Sequence, residues 1–175
     1  MNERSSTQSA DGFTVLSLEP SPQDQTALER IITGSNWPLC PALKWKLKGT
    51  TTVRSALAAM RRTPVPLVLC GCDVQPDAWK EMLEQFPVVP EPPFLIVTSR
   101  LADERLWVEA LNLGAYDVLA KPFDRTEVMR AVSSACLRWE GQHGSGPGQP
   151  DRAQESFSRT AQAAGGQSYA PKKAS

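Results

Sequence analysis

The chain has 175 residues, with 19 lysines and arginines against 19 aspartates and glutamates, so its net charge is zero. That balance excludes a global field that would draw it to nucleic acid or to an anionic membrane. No apolar run approaches the length of a bilayer span, and the polar start MNERSSTQSADG lacks the apolar stretch of a secretory signal, so the cytoplasm is the expected compartment.

Residues 1–11 read as a disordered polar tail. Residues 12–140 read as one domain, long enough to bury roughly two-thirds of its unfolded surface. Residues 141–175 are rich in Gly, Ser, Gln, Ala and Pro, with too few large apolar side chains to offset ordering entropy, so a second disordered tail is expected. The four cysteines (Cys40, Cys70, Cys72 and Cys136) have no disulfide or zinc spacing. Cys70 and Cys72 lie in an apolar run, where a free thiol packs as a small hydrophobe.

FTVLSL is a buried-strand run that ends at Glu19. Ser21 and Pro22 follow as a cap and a first helical residue, and Ala27, Leu28, Ile31 and Ile32 recur at helical spacing before Gly34. LKWKL alternates strictly. Leu43, Trp45 and Leu47 face one side and Lys44 and Lys46 the other, as on an edge strand guarded by lysines. Thr51 or Thr52 caps a helix carrying Val53, Ala56, Leu57 and Met60. VPLVLC is a buried strand that runs into Gly71, and Trp79, Met82, Leu83 and Phe86 mark a third helix. FLIV is a fourth strand, running into Thr98 and Ser99. Asp103 caps a helix bearing Leu106, Trp107, Ala110 and Leu111, which Gly114 ends. YDVLA is the fifth strand and runs into Lys121-Pro122-Phe123. Asp124 and Glu127 then have capping-box spacing before Val128, Val132, Ala135, Cys136 and Trp139.

Five strand–helix units in alternation predict an α/β fold with a parallel sheet and helices on both faces. Right-handed crossovers and the edge character of the second strand predict a doubly wound (βα)5 sheet in the order 2-1-3-4-5, the CheY-like or flavodoxin-like arrangement. Ligands of such sheets bind at the carboxyl ends of the strands. Glu19, Gly71, Thr98 and Lys121 stand at or just beyond those ends, so they are expected to share one crevice.

These strand ends, and above all FLIVTS and LNLGAYDVLAKPF, carry a resemblance. Over residues 13–139, and most strongly over 94–123, the chain resembles the receiver domain of bacterial two-component response regulators. In that family two acids after the first strand hold Mg2+, and an aspartate ending the third accepts a phosphoryl group. A Thr or Ser after the fourth strand donates to that group, and a Lys after the fifth pairs with its charge. A carboxylate is a weak nucleophile, so it needs the metal and the cation to draw charge off the phosphoryl oxygens.

Thr98 and Lys121 carry over directly. Elsewhere the chain departs from the pattern. Glu19 takes the first acidic place and Pro20 the second, so Mg2+ is at most weakly held and none is required. Gly71 falls at the acceptor, and glycine cannot be phosphorylated. Asp73, two residues on, is the alternative acceptor, or simply a turn residue. Val118 stands where receivers often carry an aromatic rotor, and valine is too short and too stiff at χ1 to act as one.

The resemblance therefore implies a degenerate, stand-alone pseudo-receiver in phosphorelay signal transduction, working as a phosphorylation-independent protein-interaction module. Lys121 is expected to pair with Glu19 or Asp73 and hold one conformation. No helix-turn-helix, basic recognition stretch or catalytic output motif follows, so output is expected through a surface. The family's usual face joins the fourth helix, fifth strand and fifth helix. Arg105, Glu109, Asn112, Arg125 and Arg130 belong to it here, unless they form an ordinary solvated face. The expected partner is a signalling protein such as a histidine kinase or a downstream effector, with no nucleic acid and no membrane.

Two alternatives remain open: a phosphorylatable receiver using Asp73, and a flavodoxin-like nucleotide or flavin binder. The second needs a hydroxyl- and glycine-rich loop after the first strand, where EPSPQDQ offers Glu19 and two prolines. No enzyme is expected, since the lone histidine, His143, is assigned to the tail and no nucleophile stands beside a base.

Overall fold

The computed structural model describes residues 13–34, 37 and 44–143. The expected tails at 1–11 and 141–175 lie outside them, apart from 141–143, as do Cys40 and Leu43. In chain order the elements are β1 (Phe13–Leu18), α1 (Pro22–Thr33), β2 (Trp45–Thr50), α2 (Val53–Arg62), β3 (Leu67–Gly71) and α3 (Ala78–Gln85). A 3-10 turn at Phe86–Val88 follows, then β4 (Phe94–Ser99), α4 (Glu104–Asn112), β5 (Asp117–Ala120) and α5 (Arg125–His143). The strands form one five-stranded parallel sheet in the order β2-β1-β3-β4-β5, as the alternating pattern predicts.

Period-two side-chain direction splits the core into two layers. Leu67 and Leu69 of β3 pack with Leu28 and Ile32 of α1 and Val132 of α5. Val68 and Cys70 of the same strand pack with Met60 of α2, Trp79 and Met82 of α3 and Ala110 of α4. Helices α1 and α5 therefore cover one face, and α2, α3 and α4 the other. The central strands bury both faces, which is why they read as continuous apolar runs.

Four helices begin on capped side chains just past a strand. Ser21 accepts from the Asp24 amide at 3.3 Å, Thr52 from Ser55 at 3.1 Å, Asp103 from Leu106 at 2.9 Å and Asp124 from Glu127 at 2.8 Å. Each cap satisfies an orphan donor of the first turn and fixes where the chain leaves the sheet. Gly114 follows α4 with φ of +103°, a left-handed conformation that only glycine adopts cheaply.

Three local readings need correction. The second strand is displaced from 43–47 to Trp45–Thr50, because β1 pairs along its whole length, Phe13 opposite Trp45 through Leu18 opposite Thr50. The alternation itself holds. Trp45 is buried and stacks on Trp37 at 4.1 Å, whereas Lys44, Lys46 and Lys48 are exposed. On α4, Leu111 is 45 % exposed rather than buried, and only Ala110 is fully enclosed. The short helix carries apolar residues on more than one face, and only one face meets the sheet. His143 belongs to the last turn of α5 rather than to a tail, and its ring stacks on Trp139 at 4.6 Å. The Trp139 indole in turn donates to the Pro92 carbonyl at 3.0 Å, which ties this end of α5 to the segment before β4.

Trp79 is 1 % exposed and among the largest wholly buried side chains. Trp79→Ala is expected to cost about 3–5 kcal/mol through lost burial and the cavity left behind. Urea unfolding with an unchanged m-value checks this.

Candidate functional site at the carboxyl edge of the sheet

The three central strands and β5 deliver their last residues to one place. Leu18 ends β1, and Glu19 follows directly. Gly71 ends β3 and pairs with Thr98 of β4. The Cys72 amide donates to the Thr98 carbonyl at 3.1 Å, so Asp73 leaves the sheet beside Ser99 and Arg100. The Lys121 amide donates to the Ser99 carbonyl at 2.9 Å, which places its side chain above the ends of β3 and β4. The peptide bond between Lys121 and Pro122 is cis.

Lys121 is the centre of the site. Its side chain has no solvent exposure. Its ammonium lies 2.8 Å from Glu19 Oε2, 2.8 Å from Asp73 Oδ2 and 3.3 Å from Asp24 Oδ2. The Phe123 ring lies to one side, 5.9 Å from the nitrogen to its centroid. The expected pairing with Glu19 or Asp73 thus involves both, and a third carboxylate joins them.

Each carboxylate has further partners. Thr98, wholly buried, donates its hydroxyl to Glu19 Oε2 at 3.1 Å. Asp73 Oδ1 accepts from the Ser99 hydroxyl at 3.1 Å and from the Arg100 amide at 2.8 Å. Asp24 Oδ2 also accepts from the Arg100 guanidinium at 2.8 Å. Three carboxylates, one ammonium and one guanidinium therefore close on one another between α1 and the ends of β1, β3, β4 and β5.

The position of Gly71 is as specific as any of these bonds. A Cβ built on it would lie 2.6 Å from Glu19 Oε2, 2.8 Å from Oε1 and 2.9 Å from Cδ. Such approaches are well inside van der Waals contact. Glu19 therefore packs its carboxylate against the bare backbone of Gly71, in space that any other side chain would claim.

The titration behaviour follows from this geometry. Burial alone would raise the Asp73 carboxyl. The Lys121 hydrogen bond, the Arg100 amide, the Lys121 charge and the Ser99 hydroxyl outweigh it and hold Asp73 below the ordinary carboxylate range. Burial likewise works against the charged form of Lys121, yet its bonds to Asp73 and Glu19 raise it above the ordinary lysine value. Cys70, below the site, is pushed up to about 12 by burial first and then by Cys72 and Glu19, so it stays a thiol. Among the described residues, Cys70, Cys72 and Cys136 form no disulfide; Cys70 and Cys136 are buried and Cys72 is half-buried.

Sequence reasoning missed Asp24 and Arg100. Asp24 stands three residues after the Ser21 cap, a spacing that puts an acid in the first helical turn and, here, over the crevice. Arg100 follows Thr98-Ser99 directly. Val118, in the expected rotor position, is 1 % exposed and packed into the core. Of the expected interaction face, Arg105, Asn112, Arg125 and Arg130 are exposed, and the Arg125 guanidinium lies beside Gly34. Glu109 is turned to α3 instead, paired with Lys80 at 2.6 Å. The same helix exposes Val108 at 54 % and Leu111, which the helical pattern had assigned inward or left aside.

Removing a partner from a buried charge cluster leaves the others uncompensated. Lys121→Ala is expected to destabilise the fold by about 3–5 kcal/mol, read by denaturant unfolding. The pH dependence follows with its sign. Asp73 is lowered, so its contribution is present above about pH 4 and is lost as pH falls through the folded value. Lys121 is raised, so its contribution is complete below about pH 10 and is lost as pH rises through the folded value. Stability measured against pH should show a plateau between these limits. Asp73→Asn should shrink the acid limb.

No protein-family model matches the sequence, and no curated protein matches it. Solved structures do. A receiver domain of an HD domain-containing protein from Pseudomonas fluorescens is 18% identical, with a TM-score of 0.63 over 77% of this chain and 94% of that one. A response regulator from Thermotoga maritima is 17% identical, with a TM-score of 0.61 over 72% of this chain and 98% of that one. A CheY-like receiver domain protein from Methanospirillum hungatei is 16% identical, with a TM-score of 0.60 over 75% and 99%. At such identities the likeness is one of fold, and the strand order described above agrees with it. The chain has the fold of the response regulator receiver domain, built here around a buried lysine.

Proposed function

We propose that this protein is a receiver-like module of two-component signalling that works by protein–protein contact and does not depend on accepting a phosphoryl group. One observation carries the reading. The Lys121 ammonium, which the resemblance assigns to a phosphoryl group, is already held by three carboxylates, above a β3 end that has no side chain at Gly71.

An incoming phosphoryl group would have to displace these bonds from a site without exposed lysine. This reading requires no divalent cation: Glu19, Asp24 and Asp73 all face an ammonium, whose like charge opposes a metal. We assign no catalysed reaction. The flavodoxin-like alternative gains nothing from the crevice: Glu19 presents a carboxylate, and Pro20 and Pro22 offer no amide to a phosphate.

Output through the outer side of α4 suits this reading. Arg105 and Asn112 flank the exposed Val108 and Leu111, so that side combines apolar area with charge and hydrogen-bonding groups, as contact surfaces do. The partner class is a signalling protein, a kinase or an effector, in the cytoplasm. No described helix is long and apolar enough to cross a membrane.

Intact mass after incubation with a small acyl-phosphate donor and Mg2+ tests the reading. The wild-type chain is expected to gain no phosphoryl adduct. An adduct that disappears in Asp73→Asn would make Asp73 the acceptor and overturn it.

A further inference from the structure

We propose that Glu19 and Gly71 are one device. The glycine leaves the end of β3 bare so that the Glu19 carboxylate, delivered from β1, takes the place of a side chain at position 71 and holds Thr98 and Lys121 there. This rests on the reading of position 71 given above, but it says more than that an acceptor is missing.

Both Glu19 oxygens lie 2.6–2.8 Å from where a Cβ on residue 71 would stand. The Glu19 Cδ stands 2.9 Å from the same point, so the carboxylate, delivered from one strand over, fills the space that the first atoms of a side chain at 71 would need. One oxygen, Oε2, takes both the Thr98 hydroxyl at 3.1 Å and the Lys121 ammonium at 2.8 Å. The Glu19 side chain is only 2 % exposed, so solvent does not compete for it. The carboxylate is built into the fold, and no modification has to supply it.

An aspartate restored at 71 would push the Glu19 carboxylate, the far end of a flexible side chain, off Thr98 and Lys121. It would also add a fourth carboxylate to a set that holds one ammonium and one guanidinium, in a site with little water. A carboxylate at 71 is therefore favourable only where the one at 19 is absent. A glycine that had merely replaced an aspartate, with nothing moved into its place, would carry no such condition.

Thermal unfolding of Gly71→Asp, Glu19→Ala and the double variant decides the matter. Gly71→Asp alone is expected to lower the midpoint by about 4 °C or more. Glu19→Ala alone is expected to lower it as well, since it leaves Lys121 and Thr98 without that carboxylate. Adding Gly71→Asp to Glu19→Ala is expected to raise the midpoint, because the carboxylate returns from the neighbouring strand. The effect of one substitution thus changes sign with the other. Should Glu19→Ala fail to fold, cooperative unfolding is expected to reappear in the double variant. An equal loss from Gly71→Asp in both backgrounds, an unchanged midpoint in Glu19→Ala, or a double variant that does not fold would each overturn the proposal. The two readings fail separately. A phosphoryl adduct on the wild-type chain sinks the phosphate-independent function and leaves the sign change standing. An absent sign change sinks the device and leaves the mass result standing.

Discussion

A lysine side chain shielded from solvent must be neutralised where it sits, because an isolated buried ammonium is too costly to keep. Much of the carboxyl edge of this sheet answers that need. Glu19 comes from the end of β1, Asp73 from beyond β3 and Asp24 from the first turn of α1. Arg100, beyond β4, then balances Asp24. The cluster is less a source of net stability than a condition of the fold. Its attraction roughly offsets the desolvation of its members, but losing any one member leaves the rest exposed to the full cost.

That condition explains why the crevice is shut. Receiver-type sheets place their chemistry where loops from alternate strands meet, and here the same loops are joined to each other. The β4–α4 connection is fixed twice: Ser99 and Arg100 reach Asp73 on one side, and the Arg100 guanidinium reaches Asp24 on the other. Bonds of this kind hold a loop in one arrangement as long as every polar group in the set is satisfied. The α4 helix that follows pairs Glu109 with Lys80 of α3 and leaves Val108 and Leu111 exposed.

The fold was legible in the sequence because it rests on local chemistry repeated five times. Apolar runs bounded by Ser21, Thr52, Asp103 and Asp124 state both the strand and the start of the next helix, and one lysine-guarded alternation states the edge. The boundary of β2 was less legible, since its pairing with β1 and not its own pattern sets where it begins. Leu111 was misjudged for a related reason. Helical spacing tells which residues share a face, but not which of several apolar faces the sheet will cover.

The site was legible only in part. Residue types at strand ends were enough to name Glu19, Gly71, Thr98 and Lys121, because a parallel sheet brings its carboxyl ends together whatever the side chains are. By itself the sequence also determined that position 71 has no side chain to react. It could not state that Glu19 fills the space beside position 71, that Lys121 takes three carboxylates where Glu19 or Asp73 was expected, or that Asp24 and Arg100 belong to the set. Those facts depend on distances of a few ångströms between residues as much as 102 positions apart, as Glu19 and Lys121 are. Only the closing of the tertiary structure fixes such distances, since the direction of each side chain is decided by the neighbours that neutralise it.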